Sequence, residues 1–106
     1  MTDRLLTERL ARQVLHWKVT PDRFLTGNRS WIPRWRFQPT EKLEDAFRVL
    51  EQSAPQFYSM KPADNGEFSV TVRIGGKVGT AQYKSKPRAI TLAVVRALGV
   101  EEEDCQ

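Results

Sequence analysis

Phe68-Ser69-Val70-Thr71-Val72-Arg73-Ile74-Gly75-Gly76 decides the fold class. Phe68, Val70, Val72 and Ile74 alternate with Ser69, Thr71 and Arg73, and a period of two puts the apolar side chains on one face of a strand. The paired glycines suit a tight hairpin turn, and Lys77 to Lys84 returns with Val78, Ala81 and Tyr83 as its apolar members. Gly75, Gly76 and Gly79 have the spacing of neither the P-loop nor the dinucleotide fingerprint, so a hairpin turn is the better reading than a phosphate cradle. Upstream, Gln56 to Met60 is rich in aromatics and is closed by Pro62-Ala63-Asp64-Asn65-Gly66, a cluster of turn formers. Three such runs in succession predict a three-stranded antiparallel meander.

Helices flank it in the sequence. Pro87 to Leu98 carries Ile90, Val94, Val95 and Leu98 on one stripe, with Ala93 and Ala97 permitting close approach, Pro87 suited to the first turn and Gly99 to termination. Glu41 to Gln52 follows Thr40 as its expected N-cap, with Leu43, Ala46, Phe47 and Leu50 apolar. Its early acids Glu41, Glu44 and Asp45 complement the helix dipole, and Pro55 forbids continuation. The spacing of Leu6, Leu10, Val14 and Trp17 predicts a first helix from Thr2, its cap, to Trp17, with Glu8 and Arg12 as an i,i+4 pair. Residues 18–40 read as irregular, broken by Pro21, Gly27-Asn28, Pro33 and Pro39. A short hairpin around Gly27-Asn28 pairs Arg23 to Thr26 with Ser30 to Ile32. The order α-α-β-β-β-α gives an α+β class: an α-β-α layered sandwich in which the meander packs with three helices. Helices on both faces of the sheet account for the apolar character of the Phe57/Tyr58 and Val70/Val72 runs alike.

With 106 residues, 40% hydrophobic and 28% charged, the chain is one domain with one modest core, residues 1–100, followed by an acidic tail, 101–106, expected to fray. No apolar run reaches the roughly 18 residues of a membrane span, and Met1 leads straight into a helical pattern, so neither membrane nor export is expected and the cytoplasm is. Cys105, the single cysteine, cannot form an internal disulfide. The net charge of +4 conceals an asymmetry. The tail holds four of 13 acids and none of 17 bases, so residues 1–100 set nine acids against 17 bases and attract polyanions.

The candidate site starts from Trp31-Ile32-Pro33-Arg34-Trp35-Arg36-Phe37-Gln38-Pro39-Thr40. Flat aromatics stack on planar rings, and the Arg fork matches phosphate oxygens, so this mixture suits a planar anionic ligand. Trp31, Trp35 and Phe37 serve equally well as core anchors of a small domain, and the sequence leaves that choice open. A second anion site is read at the N-terminus of the last helix, where Lys84, Lys86 and Arg88 reinforce the exposed backbone N–H groups. His16 is the only histidine and has no second ligand nearby, so it reads as a structural or exposed residue.

The residues also resemble a known family. A helix ending in a tryptophan, an irregular aromatic loop, Phe37-Gln38-Pro39-Thr40 leading into Leu43, Ala46, Phe47 and Val49-Leu50-Glu51, a short antiparallel sheet, and Pro87-Arg88-Ala89-Ile90-Thr91-Leu92-Ala93 before Ala97-Leu98-Gly99 is similar to the phage ABA-sandwich domain over about residues 4–100. The resemblance implies an α-β-α sandwich and a bacteriophage or prophage origin. Phage proteins of this size and type include sponges that sequester nucleotide immune signals such as cyclic ADP-ribose isomers or cyclic oligonucleotides.

Enzymatic motifs are missing: there is one His, one terminal Cys, and neither GxSxG nor HExxH. The reading is therefore a non-catalytic binder of a small phosphorylated nucleotide, with no cofactor and no metal. Trp31 and Trp35 stack the base, Arg34 and Arg36 pair phosphates, Lys84, Lys86 and Arg88 hold a second anionic group, and Thr40 adds a hydroxyl. A homodimer or larger assembly would close the pocket. The alternative is a protein-interaction module docking its aromatic-basic loop onto a host protein. Non-specific nucleic-acid binding through the basic body is a third reading.

Overall fold

The computed structural model describes residues 3–27 and 29–99, so the expected cap at Thr2 and the tail 101–106 lie outside the described residues. The chain runs α1 (Asp3–Gln13), β1 (Lys18–Val19), β2 (Arg23–Gly27), β3 (Ser30–Pro33), a 3-10 turn (Arg34–Arg36), α2 (Leu43–Gln52), β4 (Phe57–Pro62), a second 3-10 turn (Asp64–Gly66), β5 (Phe68–Ile74), β6 (Lys77–Tyr83) and α3 (Lys86–Leu98). The three helices and the β4-β5-β6 meander are present, and the α+β class holds. The short hairpin around Gly27-Asn28 is present as β2 and β3, and β1 joins it from the stretch that reads as irregular to make a second antiparallel sheet, β1-β2-β3.

In the meander Tyr58 pairs with Val72 and Val72 with Gly79, while Met60 pairs with Val70 and Val70 with Ala81. Opposed residues share a face, so these rows look toward α3. Val70 and Val72 are fully buried. The opposite face carries the row Phe57, Arg73 and Val78. Phe57 and Val78 are exposed, so the apolar character of β4 does not reflect burial on both faces.

α3 is the hub. Its residues from Ala89 to Val95 are all buried, a run of nearly two turns that leaves no solvent side. It packs on β5, β6 and α2. At Gly79 a Cβ would collide with the Ala93 carbonyl oxygen and the Ala97 nitrogen. Gly79 therefore lets helix backbone rest directly on the sheet, and Ala93 and Ala97 permit the same approach from the helix side. Ser85 caps α3 by accepting from the Arg88 N–H at 3.4 Å, and Gly99 ends it with φ 78°.

The core extends to the small sheet through Leu6, Leu10 and Ala11 of α1 and Val14 just beyond it, together with Phe24 and Phe37. Phe37 packs edge-on against Trp17 at 5.1 Å and against Phe24 at 5.6 Å between ring centroids. Each buried Phe contributes about 1.5–3 kcal/mol by leaving water. α1 stops at Gln13, short of the expected Trp17, because the chain turns back at His16 (φ 58°) and the Trp17 N–H bonds the Ala11 carbonyl at 2.8 Å. That turn delivers Trp17 to the ring cluster.

Thr40 does not cap α2. The N-cap is Lys42, without a side-chain bond, and Thr40 is buried in a turn where the Glu41 and Lys42 N–H groups both bond the Gln38 carbonyl. Asp45 reaches back from the first helical turn and accepts from the Gln38 N–H at 3.0 Å. Thr91 of α3 donates its hydroxyl to the Pro39 carbonyl at 2.8 Å, a buried bond that ties the loop to the hub. No helix among the described residues is long and apolar enough to cross a membrane.

Candidate functional site

The small sheet sorts the aromatic stretch. Gly27 pairs with Ser30, and a bulge between Leu25 and Gly27 then sets Leu25 opposite Trp31 and Phe24 opposite Ile32. Phe24 faces the core and is 1% exposed; Trp31 lies on the other face and is 52% exposed. Lys18 pairs with Leu25 from the far strand, so Lys18, Leu25 and Trp31 form one cross-strand row on the outward face. Arg23, two residues from Leu25, shares that face, and its guanidinium carbon lies 4.4 Å from the Trp31 ring centroid.

Arg23 is held from behind by Asp22, whose Oδ2 accepts from Nη2 at 2.9 Å and from Nε at 3.3 Å. The Asp22 carboxyl is pulled below its usual range chiefly by this hydrogen bond, with the Thr20 hydroxyl at 3.1 Å assisting. Arg23 is raised by the same hydrogen bond.

The 3-10 turn Arg34–Arg36 separates its members. Three residues per turn send Arg34, Trp35 and Arg36 in three directions. Arg34 points inward: Nε and Nη2 donate to the Thr20 carbonyl at 3.0 and 2.6 Å, and Nη2 lies 2.8 Å from Glu8 Oε1. Glu8 thus faces Arg34, and Arg4 at 3.6 Å, rather than the expected Arg12. These bonds tie α1, the β1–β2 connection and the turn together. Trp35 points outward, 66% exposed, with the Lys42 ammonium 6.0 Å from its ring centroid. Arg36 is exposed and lines a polar cleft of about 290 Å³ with Ile32, Lys42, Glu44, Asp45 and Arg48. Arg34 lines a different cleft, of about 190 Å³, with Arg4, Thr7, Thr40 and Glu41 among its walls. The expected pairing of Arg34 with Arg36 is therefore not formed, whereas Arg34 and Thr40 do share a cavity.

At the α3 N-terminus Lys84 and Lys86 are exposed and Arg88 is half-buried. The Lys86 ammonium lies 4.6 Å from the Phe68 ring centroid, at the end of the meander. The cations that flank the exposed tryptophans are instead Arg23 and Lys42, neither of which the sequence reading selected. Alternation from Leu25 would have placed Arg23 beside Trp31, had the strand register been known. Among the described residues no group of three or more His, Cys, Asp or Glu side chains is placed to hold a metal ion.

No curated protein matches the chain by sequence. Among solved structures, it is similar to the 2.0 Å crystal structure of a phage protein from Bacillus cereus ATCC 14579, with a TM-score of 0.77 over 95% of this chain and 91% of that one. At 18% identity that likeness speaks for the fold alone. The family model for the phage ABA sandwich domain matches residues 8–95, and the chain belongs to that family.

Proposed function

We propose that this phage protein binds and sequesters a small phosphorylated nucleotide that serves as a host immune signal, of the cyclic ADP-ribose or cyclic oligonucleotide type, without transforming it. The observation that carries the reading is Trp31: a half-exposed indole on an open sheet face, with an arginine plane already at stacking distance. A purine stacks on such a ring with about 1–3 kcal/mol. Trp35 offers a second platform beside Lys42, and Arg36 a fork for phosphate. Lys84, Lys86 and Arg88 at the α3 N-terminus hold a further anionic group, and Thr40 closes the cleft that Arg34 anchors. Two copies of the chain closing over the ligand exclude water and give the affinity sequestration needs.

Native mass spectrometry and thermal shift of the purified protein against cyclic oligonucleotides and ADP-ribose derivatives test this. The expected result is a bound species released unchanged on denaturation, with stabilisation growing with ligand concentration. Trp31→Ala abolishes it. Absence of binding across the panel sinks the reading. The exposure of both Trp31 and Trp35 favours a second reading, in which the pair is a hot spot for a host protein. Capture of a host protein that depends on Trp35 but not on nucleotide separates the two.

A further inference from the structure

The outward row Lys18, Leu25, Trp31 runs into a cleft at the end of the small sheet. The cleft measures about 290 Å³ and lies where the turn after α1 meets the β2–β3 turn. His16, Lys18 and Arg29 line it together with Leu25, Thr26 and Gly27. No carboxylate is among the lining residues, and from Arg9 to Thr40 the chain carries a single acid, Asp22, which is bonded to Arg23. Cations thus converge here without the counter-charges that line the Arg36 cleft, Glu44 and Asp45.

The backbone supplies a second observation. His16 (φ 58°) and Arg29 (φ 63°) are both held in the left-handed region, which non-glycine residues enter at a cost and arginine without special aptitude. Both strained positions put a basic side chain into the same cleft. Ala54 and Asn65 share this conformation elsewhere in the fold, but His16 and Arg29 bring it to one cavity. Position supplies a third. Two strand spacings, about 10 Å, separate Lys18 from Trp31 along the row. A nucleotide stacked on the indole spans that distance with its phosphates.

We propose that the His16–Lys18–Arg29 cleft is the oxyanion subsite of the ligand, taking a phosphate or diphosphate group while Trp31 takes the base. This rests on the nucleotide reading above and moves its main phosphate contact from the α3 N-terminus to the small sheet. Three donors of different geometry surround one anion: a planar fork from Arg29, a point charge from Lys18 and an imidazole N–H from His16.

Inorganic pyrophosphate is the probe, titrated into the full chain by NMR and calorimetry at low salt. The variant Lys18→Ala/Arg29→Gly removes two cations while glycine keeps the left-handed turn, so its melting temperature holds. Pyrophosphate affinity is expected to fall about tenfold or more in this variant. It is expected to stay within about twofold of wild type in Lys61→Ala/Lys77→Ala, two exposed lysines of the meander, where the charge change is the same. Equal losses in the two variants, retention in the first, or no pyrophosphate binding by the wild type would each overturn the assignment. Trp31→Ala separates this subsite from the nucleotide reading: pyrophosphate binding survives in it while nucleotide binding is lost. Nucleotide binding indifferent to Lys18→Ala/Arg29→Gly would remove the subsite and leave the nucleotide reading standing. Pyrophosphate captured by the cleft with no nucleotide bound would do the reverse.

Discussion

Replacing Gly79 with alanine tests the helix-on-sheet contact at the centre of the fold. The new methyl carbon would overlap the Ala93 carbonyl oxygen and the Ala97 nitrogen, and would lie 2.9 Å from the Arg96 carbonyl carbon. All three are backbone atoms of α3, so no side-chain rotation relieves the clash. Either the helix lifts from β6 or the strand bows outward. Overpacking of this kind typically costs about 1–3 kcal/mol, and a backbone obstacle puts Gly79→Ala at the upper end, about 3 kcal/mol. Against it stands a gain of about 0.4–1 kcal/mol, because alanine leaves the unfolded chain fewer conformations to lose. The net is about 2–2.5 kcal/mol, or a melting temperature lower by roughly 10–20 °C for a domain of this size. Gly27→Ala in β2 is the matched control, because a Cβ there meets nothing within 4 Å. Its expected effect is neutral to slightly stabilising. Differential scanning calorimetry of the two variants reads both numbers. A Gly79→Ala variant melting at or above wild type would refute the close-packing argument.

Thr91→Val leaves the buried Pro39 carbonyl without its donor and should cost about 1–3 kcal/mol in urea unfolding, with an unchanged slope. An unaltered midpoint would mean the hydroxyl is not needed there. Arg34→Ala should lower stability by about 1.5–3 kcal/mol, since it strips the Thr20 carbonyl of its donor and leaves Glu8 only the longer contact to Arg4, whereas the exposed Arg36→Ala should stay within about 0.5 kcal/mol. Equal effects would contradict the division between an anchoring and a solvent-facing arginine. Asp22 has its pKa lowered in the fold, so its bond to Arg23 is intact above its ordinary value of 3.8 and is lost as pH falls through the lower folded value. Tryptophan fluorescence should therefore change on acidification below that point as Arg23 leaves Trp31. The change should be absent from Asp22→Asn, and its persistence there would assign it to another group.

How legible each part was depended on the length over which a pattern could repeat. β5 alternates over seven residues and α3 repeats over 13, and both are where the spacing puts them. β2 and β3, of five and four residues, were legible through the turn residues between them and not through a period, and β1, of two residues, gave no signal at all. Trp31 shows what a single irregularity does. A two-residue loop at Gly27-Asn28 would have set Phe24 opposite Trp31 and buried both rings together. The bulge shifts the pairing by one, and a shift of one exchanges faces. Thr40 failed as a cap for a different reason: the turn through Gln38 and the back-bond from Asp45 secure the approach to α2, so a polar residue with good local capping chemistry was drawn into the interior. Arg34 and Arg36, alike in sequence, are parted by the threefold screw of a 3-10 turn.

The burial of α3 on all sides has a bearing on how the molecule is made. β5, β6 and α2 all lean on a segment that begins only at Lys86, so a nascent chain that has exposed α2 and the meander still lacks the helix that covers them. Val70 and Val72 must wait, wetted, until the ribosome has released Leu98. Until then the apolar face of the meander stays exposed, and exposed apolar surface lengthens the interval in which chaperones can engage the chain. The last helix thus acts as a checkpoint: a chain that ends before Lys86 leaves Val70 and Val72 without their cover.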